Sequence, residues 1–223
     1  MKVLVVKPTA LGDVAQALLL APHLKRLAAE VELIWLVDED YQALVRACPA
    51  VDRIILFPRR RWKKAGTASR EIASWLRELR EEEVDVVLDL QGLARSGIMT
   101  WMSGARRRVG LESAREFSRF AYTELVPDAA EHAVDRYARA VAQVLGSGEA
   151  LAPCYLSAES QNLSPSWGLI KGAYTVLHPY SIWGTKLWPW QRYEELARAL
   201  PEEKFVVVGR GPFFPSWRTM CWI

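Results

Sequence analysis

The residues best suited to chemistry fall into four groups. Asp13 stands in the turn Pro8-Thr9-Ala10-Leu11-Gly12-Asp13, between an apolar run at residues 2–7 and a helical pattern that begins at Val14. Ligands of open α/β sheets bind where strand carboxyl ends meet helix N-termini, so a carboxylate there is placed to touch one. Asp is equally a residue that caps helices, and spacing alone leaves both roles open. The second group is the run Arg59-Arg60-Arg61-Trp62-Lys63-Lys64, five cations around one aromatic. Guanidinium forks and ammonium charges suit phosphates and carboxylates. The same run also reads as a solvated basic loop or a nucleic-acid patch of modest specificity. Third is Asp89-Leu90-Gln91-Gly92-Leu93, where Gln91 offers hydrogen bonds at a crevice and Gly92 lets the backbone come close, or where a simple turn is made. Fourth is Thr185-Lys186-Leu187-Trp188-Pro189, a lysine ahead of a helix start, which is an anion site or merely an exposed lysine.

Other candidates read more plainly. His132 and Arg136 are four apart on one helix face. Arg106, Arg107 and Arg108 read as a charged strand entrance. His23 and His178 stand alone, with no metal-ligand spacing. Neither GxGxxG nor GxxxxGK[ST] occurs, so the dinucleotide and P-loop fingerprints are missing.

These residues need a scaffold, and the hydrophobic pattern supplies one. Apolar runs at residues 2–7, 31–37, 53–57 and 84–88, with a short one at 107–110, predict strands. Helices are predicted from residue 14, with Val14, Ala17, Leu18, Ala21, Leu24 and Ala28 as the stripe and a kink at Pro22, and over 41–48. Further helices are expected over 69–83, from about 93 to 103, and over 131–145. Alternating helices and apolar strands imply an α/β protein with a parallel sheet covered on both faces. The Gly-, Ser- and Pro-rich stretch 146–172 reads as a linker. A second unit follows: a strand at 174–177, a helix over 189–200 with Pro189 in its first turn, and a strand at 205–208. The expected division is residues 1–150 and 151–223. Residues 209–223 carry two prolines, several aromatics and no period, so they are expected not to continue a sheet, and the second domain reads as cut off.

The 223 residues carry a net charge of +3, not the balance of a dedicated nucleic-acid binder. Cys48, Cys154 and Cys221 are widely spaced, a reduced cytosolic pattern without disulfide framework or zinc site. The first apolar run ends at Lys7, too short for a signal peptide. No stretch approaches the ~20 apolar residues of a membrane helix, so membrane contact would be peripheral.

Several blocks together resemble glycosyltransferase family 9, the ADP-heptose lipopolysaccharide heptosyltransferases. They are Val5-Val6-Lys7-Pro8 with Leu11-Gly12-Asp13-Val14, then Asp89-Leu90-Gln91-Gly92-Leu93 with Ser96. Next come Ser113-Ala114-Arg115-Glu116 with Phe120 and Tyr122, and His132-Ala133-Val134-Asp135-Arg136. Leu177-His178-Pro179 with Thr185-Lys186 and Trp188-Pro189 resembles the start of a donor domain. The basic run is similar to the acceptor loop of the heptosyltransferase I type. Asp38-Glu39-Asp40 formally matches the DxD of metal-dependent glycosyltransferases, but acidic residues opening a helix are structural often enough to read it so.

The resemblance implies two Rossmann-like domains, with an N-terminal acceptor domain and an incomplete C-terminal donor domain. It implies inverting transfer from ADP-heptose to a Kdo-containing inner-core acceptor of the Kdo-lipid A type, with no cofactor and no obligatory metal. Asp13 would be the general base. Thr185 and Lys186 would hold the donor, and Arg60, Arg61, Lys64, Gln91, Arg115 and Arg136 the acceptor. Such an enzyme would work in the cytoplasm, peripherally on the inner face of the inner membrane, with no nucleic-acid partner. Nothing in residues 209–223 resembles the family's late donor-binding block, so weak donor binding and little turnover are expected. A non-catalytic module that binds anionic glycolipid is the alternative.

Overall fold

Six strands lie side by side, all parallel, in the order β3-β2-β1-β4-β5-β6. They are β1 (Lys2–Val6), β2 (Glu32–Asp38), β3 (Arg53–Phe57), β4 (Val86–Asp89), β5 (Arg107–Leu111) and β6 (Glu124–Val126). The computed structural model describes residues 1–62, 68–129, 132–146, 168–170, 172–181, 183–209 and 221–222. The chain divides into two units, Met1–Ala158 and Glu159–Ile223, and the six-stranded sheet belongs to the first.

Strand alternation splits the core between the two faces. Val3 and Val5 point into one cluster, Leu4 and Val6 into the other, and all four are fully buried. The first cluster is covered by α1 (Leu11–Leu18), α2 (Leu20–Leu27), α3 (Gln42–Arg46) and α7 (Ala133–Leu145). The second is covered by α5 (Ala68–Glu81), through Trp75 and Leu79, and by α6 (Ala94–Met102), through Met99. A parallel sheet buried on both faces needs continuous apolar strands, which is why β1, β2 and β4 are legible as unbroken runs.

The expected kink near Pro22 is a full break. α1 ends at Leu18 and α2 restarts at Leu20, because Pro22 has no N–H to donate to the residue four before it. α7 starts at Ala133 rather than 131, since His132 is its cap: its Nδ1 accepts the Val134 N–H at 3.3 Å. In the first unit, the strand β6 and the four-residue helix α4 (Arg59–Trp62) were not anticipated. The stretch read as a linker lies mostly outside the described residues.

The second unit holds β7 (Thr175–Leu177), α8 (Trp190–Ala199) and β8 (Phe205–Val207). Pro189 is the N-cap of α8, one position before the first turn expected for it. The expectation that residues 209–223 cannot continue a sheet is corrected. β9 (Cys221–Trp222) pairs in parallel with β8 through Val206 and Val207, giving a three-stranded sheet ordered β7-β8-β9. A Pro-broken, aperiodic segment can still end in two residues extended enough to pair, and hydrophobic period does not register so short a strand.

Candidate active site

Strand order reverses direction at β1, whose neighbours are β2 on one side and β4 on the other. In such sheets the crevice at the carboxyl ends of the strands beside the reversal is where ligands bind. Here that crevice lies between the turn after β1 and the turn after β4.

Asp13 occupies the third position of α1. Its Oδ2 accepts the Ala10 N–H at 3.3 Å, so it reaches back over the helix start, yet its side chain remains 53% exposed. Both roles open to it from spacing, cap and ligand contact, are therefore compatible with one placement. Lys7, just beyond β1, brings its Nζ to 3.9 Å from Asp13 Oδ2 while its own side chain is only 5% exposed. That ammonium donates to the Leu90 carbonyl at 3.1 Å and lies 5.6 Å from the Tyr137 ring centroid. Burial holds the Lys7 pKa below its ordinary value, while the charges of Asp13 and Asp89 act to raise it. The Tyr137 hydroxyl is pushed up by burial and by the Asp13 charge.

The β4 turn is built around Asp89, which is fully buried. Its Oδ1 accepts the N–H groups of Gln91 at 2.8 Å and Gly92 at 3.1 Å. Its Oδ2 accepts the Tyr122 hydroxyl at 2.8 Å and the Thr100 hydroxyl at 3.4 Å. Burial pushes the Asp89 carboxyl up, against the pull of those donors, and burial and Asp89 together push Tyr122 up. Gln91 closes the crevice floor: its Oε1 accepts from the Thr9 N–H at 3.2 Å, which ties the two turns together. Gly92 has φ +67°, and its carbonyl accepts the Arg115 N–H at 2.8 Å, bringing exposed Arg115 to the same rim. Arg136, on α7, lies 3.7 Å from buried Asp128, whose other partner is Ser113.

α4 leaves the carboxyl end of β3, two strands from β1 along the same sheet edge. Arg60 pairs with Asp40 and Arg61 with Glu39, both at 2.8 Å, and the two guanidinium side chains are 77% and 66% exposed. Glu39 and Asp40, directly after β2, are thus the counterions of the basic helix, and Asp38 caps their turn by accepting the Asp40 N–H at 3.1 Å. Trp62 anchors α4 inward, its ring 5.2 Å from Phe57 and 5.4 Å from Trp75. Lys64 lies outside the described residues. Thr185 and Lys186 are exposed in the short 3₁₀ turn Gly184–Lys186 of the second unit.

The structure therefore groups Asp13, Gln91, Arg115 and Arg136 around the β1–β4 crevice of the first unit, and places Arg60 and Arg61 further along its edge. Sequence reasoning passed over Lys7 and Tyr137. Lys7 stood in the first of the resembling blocks without a role of its own, and its local signal was a cation directly after an apolar strand, where burial obliges it to find partners.

A family model, glycosyltransferase family 9 (heptosyltransferase), matches residues 72–211. Lipopolysaccharide heptosyltransferase 1 of Pseudomonas aeruginosa is 33% identical over 93% of this chain and 60% of its own length. The protein of the same name from Escherichia coli K12 is 27% identical over 91% of this chain and 65% of its own length. The solved structure of E. coli heptosyltransferase WaaC with ADP-2-deoxy-2-fluoro heptose superposes with a TM-score of 0.76 at 25% identity, covering 95% of this chain and 70% of that one. E. coli ADP-heptose lps heptosyltransferase II shares the fold, with a TM-score of 0.71 at 18% identity over 100% of this chain and 72% of that one. The chain spans about 60% of the length of the P. aeruginosa relative.

Proposed function

The chain belongs to glycosyltransferase family 9, the heptosyltransferases, and from that premise we propose that it serves heptose transfer from ADP-heptose to a Kdo-containing lipopolysaccharide acceptor. Asp13 is the base. As the acceptor hydroxyl oxygen attacks the anomeric carbon, its proton passes to the Asp13 carboxylate and the bond from that carbon to the ADP phosphate oxygen breaks. One displacement inverts the sugar configuration. Lys7 Nζ, 3.9 Å from Asp13 Oδ2, helps to hold the carboxylate at the crevice mouth. Charge developing on departing ADP is assigned to Lys186 and Thr185. Residues 1–150 hold the acceptor in this reading and 151–223 the donor, with no cofactor beyond the donor itself. The work is placed at the inner face of the inner membrane.

The acceptor is anionic, and Arg60, Arg61 and Lys64, helped by Gln91, Arg115 and Arg136, are its partners. Exposed ion pairs contribute roughly 0–1 kcal/mol. Arg60 and Arg61 can therefore exchange Asp40 and Glu39 for acceptor carboxylates or phosphates at little cost.

The observation that carries the reading is Asp13: a half-exposed carboxylate at the mouth of the β1 crevice, oriented by the Ala10 N–H. Titration with Kdo-lipid A and ADP release from ADP-heptose are the two measurements. Asp13→Ala should abolish ADP release, by about 100-fold or more, and leave glycolipid affinity intact. Replacing Arg60 and Arg61 by Gln should weaken glycolipid binding about tenfold. An Asp13→Ala protein that still releases ADP at the parent rate removes the base assignment. Binding to DNA as strong as to glycolipid removes the acceptor assignment.

A further inference from the structure

The transfer reaction leaves unused an apolar surface of the first unit on α6 and the 3₁₀ turn Ser118–Ala121. Ile98, Trp101, Phe117 and Phe120 are 57%, 62%, 84% and 85% exposed. Single exposed apolar residues are ordinary, but four large ones lining one groove are not. α6 is responsible for half of this. Its inward face buries Ser96, Gly97, Met99 and Thr100, and its outward face, where a surface helix should be polar, presents Ile98 and Trp101 instead. The other half comes from the turn. Phe117 has φ +64° and Glu116 φ +55°, a left-handed pair of non-glycine residues that costs on the order of 1–3 kcal/mol each. The surrounding bonds hold the turn there: Glu116 accepts the Ala94 N–H at 3.1 Å and Ser118 N–H donates to Arg115 at 3.0 Å. Gly97 makes room, since a Cβ on it would lie 2.9 Å from the Ser118 Cα. The result aims Phe117 and Phe120 outward, their rings stacked at 6.3 Å.

Charge identifies what covers the surface. Arg115 and Arg119 flank Phe117 and Phe120, and both are exposed. The one carboxylate lining the groove, Glu116, is committed to the α6 N-terminus. Bulky aromatics interleaved with arginines match the boundary of a bilayer whose headgroups are anionic: the rings reach the acyl boundary and the guanidinium groups meet phosphates. The groove begins at Ala94, directly after the Gln91–Gly92 turn of the crevice.

We propose that Ile98, Trp101, Phe117 and Phe120, with Arg115 and Arg119, form the surface by which this protein rests on an anionic phospholipid bilayer. It shares Arg115 with the glycolipid reading above, and otherwise rests on that reading only in that a membrane-borne acceptor would then be presented beside the Asp13 crevice.

The test is cosedimentation of the chain with phosphatidylcholine vesicles, with and without phosphatidylglycerol, in the absence of any sugar donor or acceptor. The chain should bind the mixed vesicles and bind phosphatidylcholine alone much less. Phe117→Ser with Phe120→Ser should weaken binding at least about tenfold, and Arg119→Gln about fivefold for the anionic vesicles only. Both phenylalanines are solvent-exposed, so the thermal midpoint should not move. If it does, Trp101→Ser carries the same expectation. Absence of binding to the mixed vesicles, or undiminished binding by the serine variants, overturns the proposal. So does a dimer in sedimentation velocity that the serine variants dissociate, which would give the surface to a second copy of the chain. Vesicle binding by a chain that transfers no heptose upholds this surface and rejects the transfer reading. Transfer to detergent-dispersed acceptor without vesicle binding does the reverse.

Discussion

Asp89 carries the tightest set of hydrogen bonds in the crevice, with two backbone N–H groups and two hydroxyls on one buried carboxylate. Burial nevertheless dominates and raises its pKa above the ordinary 3.8. A raised carboxyl stabilises the fold fully below about pH 3.8 and loses that contribution as pH climbs through the folded value, because the folded state then holds more protons than the unfolded. Asp89→Asn keeps an oxygen for Gln91 and Gly92 and presents an NH₂ to the Tyr122 and Thr100 oxygens. Compared with the parent, the Asn protein should therefore gain in relative stability from about pH 4 upward and level off once Asp89 is ionised in both states. Urea unfolding of both proteins across that range measures the difference. A gap that stays constant with pH would mean that Asp89 titrates in the fold as it does in the unfolded chain. Burial lowers the Lys7 pKa as it raises that of Asp89, disfavouring the charged form of each, while the Asp13 and Asp89 charges oppose the shift at Lys7.

At the scale of elements, Gly110 makes the room that Tyr122 needs to reach Asp89. It pairs with Asp89 across β4 and β5, and the Tyr122 ring lies over it on the way to the Asp89 carboxylate. A Cβ on Gly110 would stand 2.2 Å from Tyr122 Cε2. The ring cannot retreat without surrendering its hydrogen bond, so Gly110→Ala should cost about 1–3 kcal/mol in overpacking and about 1–3 more for the lost bond. Chemical denaturation reads this directly, and an unchanged midpoint would show that Tyr122 has another place to go. Much of the scaffold was legible: β1, β2 and β4 are apolar runs, and β3 has the predicted bounds. What escaped was short or relational. β6 has three residues, one of them Glu124, which is engaged with Arg107 at 2.8 Å, and so it shows no apolar run. α4 is three arginines and a tryptophan, whose helical turn depends on Trp62 finding Phe57 and Trp75. Asp13, Gln91 and the arginines stood out by type and spacing. The role of Lys7 depends on partners at residues 13, 90 and 137, which no local pattern reveals.

Across the whole molecule, burial is unevenly shared between the two units. β1, β2 and β4 are covered on both faces, whereas α8 has no buried residue and β7 is largely exposed. Local opening free energy follows buried contacts. Amide hydrogen exchange should therefore be slowest in β1, β2 and β4 and at least about tenfold faster in β7 and α8. Equal protection in the two units would refute this ordering. None of the described helices is long and apolar enough to cross a membrane. The Phe57, Trp62 and Trp75 trio has an optical consequence. Two indoles 5.4 Å apart and steeply inclined couple their excited states. The chromophore pair joins the arginine-bearing α4 to the interior, so anything that pulls that helix outward separates the pair. Circular dichroism in the far-ultraviolet indole band should then lose a paired positive and negative signal when polyanionic glycolipid is added. The chain thus carries an unlabelled gauge of whether its basic arm has engaged.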